Sequence, residues 1–164
     1  MSDSHSAQTP PFVRAWQTRQ PGQLIGKGHP AGDFLEAYEW TVLEESAGFL
    51  RIRAHVPAHV KNPRGQLFGG FTPTYVDLVA LFTVRAGEQR LAQRFRTWLA
   101  TTNMRVDYFE PIVGPRFVVE SRLVKQRGRT NFVETRFFDP DDTLAVFALT
   151  TLREVSLDRP LGDV

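Results

Sequence analysis

A chain of 164 residues with 41% apolar and 23% charged residues is sized and composed for one globular domain with a sizeable core. With no cysteine it has no disulfide, no thiolate metal site and no cysteine nucleophile. A formal net charge of only +2, with acids scattered among the bases, argues against a nucleic-acid surface, and no apolar run approaches the ~20 residues of a membrane span.

Residues 1–11 are polar, contain Pro10 and Pro11 and lack periodicity, so a disordered tail is expected. They show no charged stretch leading into an apolar one, so no secretory signal is read and a soluble, cytoplasmic protein is the expectation. Residues 12–32 mix Phe12, Trp16 and Leu24 with Pro21, Gly22, Gly26, Gly28, Pro30 and Gly32. That mixture reads as a short helix followed by an irregular lead-in to a single domain spanning 12–156. Two strands are expected at 33–44 and 48–57. In the second, Phe49, Arg51, Arg53 and His55 alternate with Leu50, Ile52, Ala54 and Val56, the period of a half-buried strand. A glycine-rich turn follows at 58–70 and a helix at 71–86, with Thr72 as its N-cap and Pro73 as its first residue. Residues 87–96 form a polar connector. Four segments rich in β-branched and aromatic residues then occupy 97–108, 116–125, 130–139 and 144–155, separated by turn residues. Short connections imply an antiparallel meander. Residues 157–164 read as a loose tail. One apolar helix among six strands gives an α+β fold in which an antiparallel sheet wraps around the helix.

The helix carries the most informative residue. From Phe71 to Val84 the ionisable groups are Tyr75 and Asp77, and Val76, Leu78, Val79, Ala80, Leu81, Phe82 and Val84 leave no polar face, so a buried helix is expected. A carboxylate in such surroundings must be paired or hydrogen-bonded. On its own it serves structure more often than catalysis. Ahead of it, Gly69 and Gly70 permit a tight turn and also let a ligand approach the backbone. Asn62, before Pro63, has the chemistry of an Asx-turn. Phe68, Phe71, Tyr75, Phe82 and Trp98 read chiefly as core. Arg122, Lys125, Arg127 and Arg129 cluster around a hairpin turn at Gly128, which is either a solvated face or a phosphate-binding one. The histidines form no metal site: Pro57 between His55 and His59 removes the helical geometry their spacing would need. No phosphate-loop or dinucleotide fingerprint is present.

Asn62, Gly65, Phe68, Gly69 and Gly70, followed by Asp77 seven residues later, resemble the turn and helical carboxylate of the hotdog-fold acyl-CoA thioesterase superfamily, in particular its PaaI-like branch. Tyr108-Phe-Glu-Pro111 resembles the family's Tyr-x-x-Pro, and Thr101 stands where a Ser or Thr often joins the site. The family's His at the position of Phe68 is absent; Phe occurs there in a related long-chain branch. The resemblance covers roughly residues 29–155. It implies hydrolysis of acyl-CoA to free acid and CoA, with Asp77 as general base or nucleophile and the Gly70 N–H, with Gly69 as neighbour, polarising the thioester carbonyl at the helix N-terminus. By the same resemblance Asn62 orients the water or the carbonyl, Thr101 joins the site, and Phe68, Arg127, Gly128 and Arg129 contact the substrate. It implies a homodimer or a dimer of dimers. No cofactor is implied beyond coenzyme A as part of the substrate. Two other readings stand beside this one. A non-catalytic acyl-CoA sensor is disfavoured by Asp77 with an intact glycine pair. A hotdog dehydratase or hydratase would need a His in the turn or helix.

Overall fold

The computed structural model describes residues 18–87 and 97–156. The expected tails, residues 12–17 of the lead-in and residues 88–96 of the connector lie outside that range. Among the described residues, two helices, α1 (Pro30–Phe34) and α2 (Thr72–Val84), accompany six strands: β1 (Thr41–Ser46), β2 (Phe49–His55), β3 (Thr97–Tyr108), β4 (Arg116–Arg127), β5 (Thr130–Phe138) and β6 (Leu144–Ser156). The strands form one sheet in the order β1-β2-β4-β5-β6-β3, every neighbouring pair antiparallel.

Two expectations about the strands are corrected. The span 33–44 is not one strand. Its first part closes α1 and continues into a 3-10 turn at Ala37–Glu39, and only from Thr41 does it pair. The cause is local. Pro30 opens a helix, the His29 ring nitrogen Nδ1 accepts the Gly32 N–H at 3.0 Å, and both Asp33 carboxylate oxygens lie 3.0 Å from the Gly28 N–H. The four later strands are not a simple meander either. β4, β5 and β6 follow one another, but β3 pairs with β6 at the far edge, and β4 is claimed by β2 on its other side. The chain returns from β3 to β4 through residues 109–115, past two intervening strands. Seven extended residues reach about 23 Å, ample for three strand spacings of about 4.8 Å.

The inner face of the sheet receives α2. Tyr75, fully buried, stacks on Trp40 at 5.2 Å between ring centroids and tilts onto Phe117 at 5.4 Å, and its hydroxyl donates to the His55 carbonyl at 2.9 Å. Burial, with Glu36 adding, pushes the Tyr75 hydroxyl far above the ordinary tyrosine range, so it stays protonated as a donor. Val76, Leu78 and Val79 share that buried side with Leu50, Ile52, Val119 and Phe137. Each such side chain contributes about 1.5–3 kcal/mol on burial.

The helix is not buried all round. Pro73, Asp77, Leu81 and Val84 lie along one stripe at helical spacing and are only half-buried. One sheet covers one side of a helix, so an apolar sequence with no polar face still leaves a stripe open within a single chain. The helix also starts differently from the expected Thr72 cap. A 3-10 turn at Gly69–Phe71 winds directly into α2, so Thr72 is helical, buried and not a cap, with Pro73 still in the first turn.

Candidate active site

The turn before α2 is built by Asn62. Its side-chain oxygen accepts the N–H groups of Arg64 at 2.9 Å and Gln66 at 3.1 Å, and its amide nitrogen donates to the Gln66 side chain at 3.2 Å. Gly65, at φ +77°, closes the turn onto the Asn62 carbonyl. These bonds all lie inside the loop, so the structure gives Asn62 its Asx-turn role and does not bring it to Asp77. The loop is held from below: Leu67 N–H donates to the Ile112 carbonyl of the β3–β4 return, and Phe68 N–H to the Val60 carbonyl.

Gly69 and Gly70 then begin the 3-10 turn. Its first internal bond is Phe71 N–H to the Phe68 carbonyl. The N–H groups of Gly69 and Gly70 therefore have no acceptor in the turn they start, and they point out of the positive end of the helix. Phe68 is 51% exposed, contrary to a core role, and lies across this point: a β-carbon on Gly70 would sit 2.7 Å from the Phe68 ring. Phe71 and Phe34 extend the aromatic surface, with centroids 5.7 Å from Phe68 to Phe71 and 5.5 Å from Phe34 to Phe71. Trp98, at 45% exposed, is likewise not core.

About one and a half turns into the helix, Asp77 on the half-open stripe accepts a short hydrogen bond from the Thr101 hydroxyl of β3. A β-bulge aims that threonine. Leu99 points inward and is buried, whereas Met104 and Val106 are the residues of β3 packed on the main core. Odd and even positions can both face inward only because the register slips between Thr101 and Asn103. The extra residue, Thr102, ties its hydroxyl to the Thr151 carbonyl at 3.1 Å. Thr101 thus faces Asp77 on the inner side of a strand that reverses its facing one residue later.

The basic hairpin stands apart from this pair. Gly128 (φ +58°) and Arg129 make the β4–β5 turn, and Arg127 and Arg129 are exposed. Arg127, Thr130, Arg153 and Ala100 are partners in one row across β4, β5, β6 and β3. Ala100 precedes Thr101, so the hairpin lies about three strand spacings, roughly 14 Å, from the Asp77–Thr101 pair. Arg153, midway along the row, is a basic residue that sequence reading passes over, because only the strand register aligns it with Arg127. Also passed over is a grouping of Glu36, Glu39 and His55, whose ligand-type atoms lie within 4.8 Å of one another; it is the one such grouping among the described residues. Its closest contact, His55 Nε2 to Glu36 Oε2 at 2.7 Å, is a hydrogen bond that fastens the α1 segment to β2.

The comparisons with known proteins agree with this architecture. None of the curated proteins matches the chain. Among solved structures it is similar to a thioesterase from Haemophilus influenzae (TM-score 0.65, 10% identity, 80% of this chain and 87% of that one). It is also similar to zebrafish thioesterase superfamily member 2 (0.64, 18%, 78% and 88%) and to a hypothetical thioesterase protein with coenzyme A from Streptococcus pneumoniae (0.61, 13%, 72% and 87%). At these identities the likeness shows a shared fold, the α+β hotdog in which an antiparallel sheet wraps around one main helix. The sequence profile of the thioesterase superfamily matches residues 64–146, just over half of the chain, from the glycine turn to the start of β6. The chain therefore belongs to the thioesterase superfamily.

Proposed function

We propose that this protein hydrolyses acyl-CoA thioesters to free acid and CoA, in the manner of the PaaI-like branch. The observation that carries the reading is the Thr101-held carboxylate of Asp77 on the open stripe of a helix whose N-terminus presents two unpaired glycine N–H groups. The N–H of Gly70, with Gly69 beside it, holds the thioester carbonyl and stabilises the oxyanion of the tetrahedral intermediate. Asp77 takes the proton of the attacking water, or attacks the carbonyl carbon itself. On the first route the carbon–sulfur bond then breaks and the CoA sulfur leaves with the proton that Asp77 took from water. On the second, the CoA thiolate leaves an acyl-aspartyl anhydride, which water hydrolyses to the free acid and the Asp77 carboxylate, the water's proton passing to the thiolate. Water, a carboxylate and N–H donors complete the reaction, so coenzyme A enters only as part of the substrate. Arg127, Gly128 and Arg129 receive its phosphates, assisted by Arg153, at a distance suited to the nucleotide end of the molecule. A structural neighbour from Streptococcus pneumoniae holds coenzyme A, which supports this ligand class.

The family resemblance implies a site shared between two chains, and helix geometry supports that reading. Asp77 follows Gly70 by seven residues, about 10 Å along the axis. The Gly70 N–H points out of the helix, away from Asp77, so a carbonyl oxygen bound there is farther still. A nucleophile must stand about 3–3.5 Å from the carbonyl carbon, so the Asp77 of the same chain is out of reach. We read the active form as a homodimer in which the turn of one chain faces the Asp77 of its partner. This also covers the half-open stripe of α2. Asn62 then acts by shaping that turn.

The test is thiol release from a panel of acyl-CoA esters by the wild type and by Asp77→Asn. The account predicts turnover lost by about 10²–10⁴-fold in the variant, the usual cost of removing a positioned base. An acyl-CoA that binds the wild type without being turned over would instead favour a sensor module.

A further inference from the structure

We infer that Tyr108 is a positioning residue for the carbonyl-binding N–H of Gly70, an inference that rests on the proposed thioester hydrolysis. Tyr108 is the last residue of β3, where the chain leaves the sheet edge, and it is 52% exposed. An aromatic residue so exposed is not held there by burial. Its hydroxyl donates to the Gly69 carbonyl at 2.8 Å, and its ring lies over Gly69, 3.6 Å from where a β-carbon would stand.

That bond acts on the atom next to the chemistry. The Gly69 carbonyl and the Gly70 N–H belong to one peptide unit, which is planar, so they point in opposite directions. Whatever fixes the carbonyl fixes the N–H. Within the helix, the Gly69 carbonyl accepts only the Thr72 N–H. A 3-10 turn opened by two glycines has weak bonds and a wide choice of backbone angles, so a single bond holds that plane loosely. Tyr108 adds a second donor from a different element, tied into the sheet by Phe109 and Glu110 N–H groups that both reach the Ala145 carbonyl. Two donors on one carbonyl also polarise the peptide and strengthen its N–H as a donor. The residue thereby couples the end of β3, whose middle carries Thr101, to the turn that would receive the carbonyl.

The experiment is Tyr108→Phe in the full chain, with thiol-release kinetics, thermal unfolding and the NMR signals of the Gly69 carbonyl carbon and the Gly70 amide. The phenyl ring keeps the contact with Gly69 and removes only the donor. The inference predicts that kcat falls about ten-fold, part of the effect of losing one oxyanion donor, with KM within about two-fold and the unfolding temperature unchanged. Both NMR signals should move. Unmoved Gly69 and Gly70 signals, or a wild-type kcat in an Asp77-dependent enzyme, would overturn it. Asp77→Asn assayed in parallel separates the two ideas. An inactive Asp77→Asn beside an unimpaired Tyr108→Phe removes Tyr108 alone. A fully active Asp77→Asn removes the Asp77 mechanism, and the NMR signals still decide whether Tyr108 holds the peptide.

Discussion

At the scale of single residues, the Asp77–Thr101 contact makes a sharp demand. Thr101 is exposed, so changing it removes little packing. Its hydroxyl donates to a charged group, a bond worth about 1.5–3 kcal/mol. Thr101→Val should therefore lower turnover by about ten-fold or more, while Thr101→Ser, which keeps the donor, should stay close to wild type. Equal rates in both variants would show that the hydroxyl does not hold the carboxylate for catalysis. Asp77, the glycine pair and Thr101 could be nominated from the sequence because their spacings resemble a family pattern. The contact between Asp77 and Thr101 could not, since it depends on a bulge that changes which side of β3 faces inward. Asn62 was legible as a turn residue, and the structure gives it that role. Tyr108 was visible as a motif residue but had no role until its hydroxyl met the Gly69 carbonyl.

At the scale of elements, α1 is a pH-dependent piece. The His29 ring must be neutral at Nδ1 to accept the Gly32 N–H, and burial lowers its pKa from the ordinary 6.5, with Asp33 opposing. A base with a lowered folded pKa binds its proton more readily when unfolded. Its contribution is thus present above pH 6.5 and is lost as pH falls below 6.5 toward the folded value. His29→Asn offers a capping oxygen that does not titrate. The fall in melting temperature from pH 7.5 to 5.5 should be smaller in that variant by about 3 °C, for a cap worth about 1 kcal/mol. An identical fall in both proteins would show that the cap does not titrate. Element types from β2 onward were legible because alternation and turn residues are local signals. The sheet order was not, because a crossover such as residues 109–115 leaves no local mark. The first strand was overextended for a related reason: Leu35 and Ala37 are apolar at strand-like spacing, yet they are buried from the end of a helix and a 3-10 turn.

At the scale of the whole molecule, the shared-site proposal rests on where α2 carries the parts of the proposed site. The glycine turn and Asp77 lie at separate stations along α2, about 10 Å apart, and the stripe that carries Asp77 is half-open. Two-fold pairing would bring turn to carboxylate twice per dimer. The most direct measurement mixes two inactive variants. Asn62→Ala opens the turn and Asp77→Ala removes the carboxylate, and each homodimer should be nearly inactive. Unfolded and refolded together in equal amounts, about half of the dimers should be mixed, each with one doubly altered site and one intact site. The account predicts that about a quarter of wild-type thiol-release activity returns on mixing. If both residues served one site from the same chain, no mixed dimer would hold an intact site; no recovery of activity on mixing would contradict the shared site.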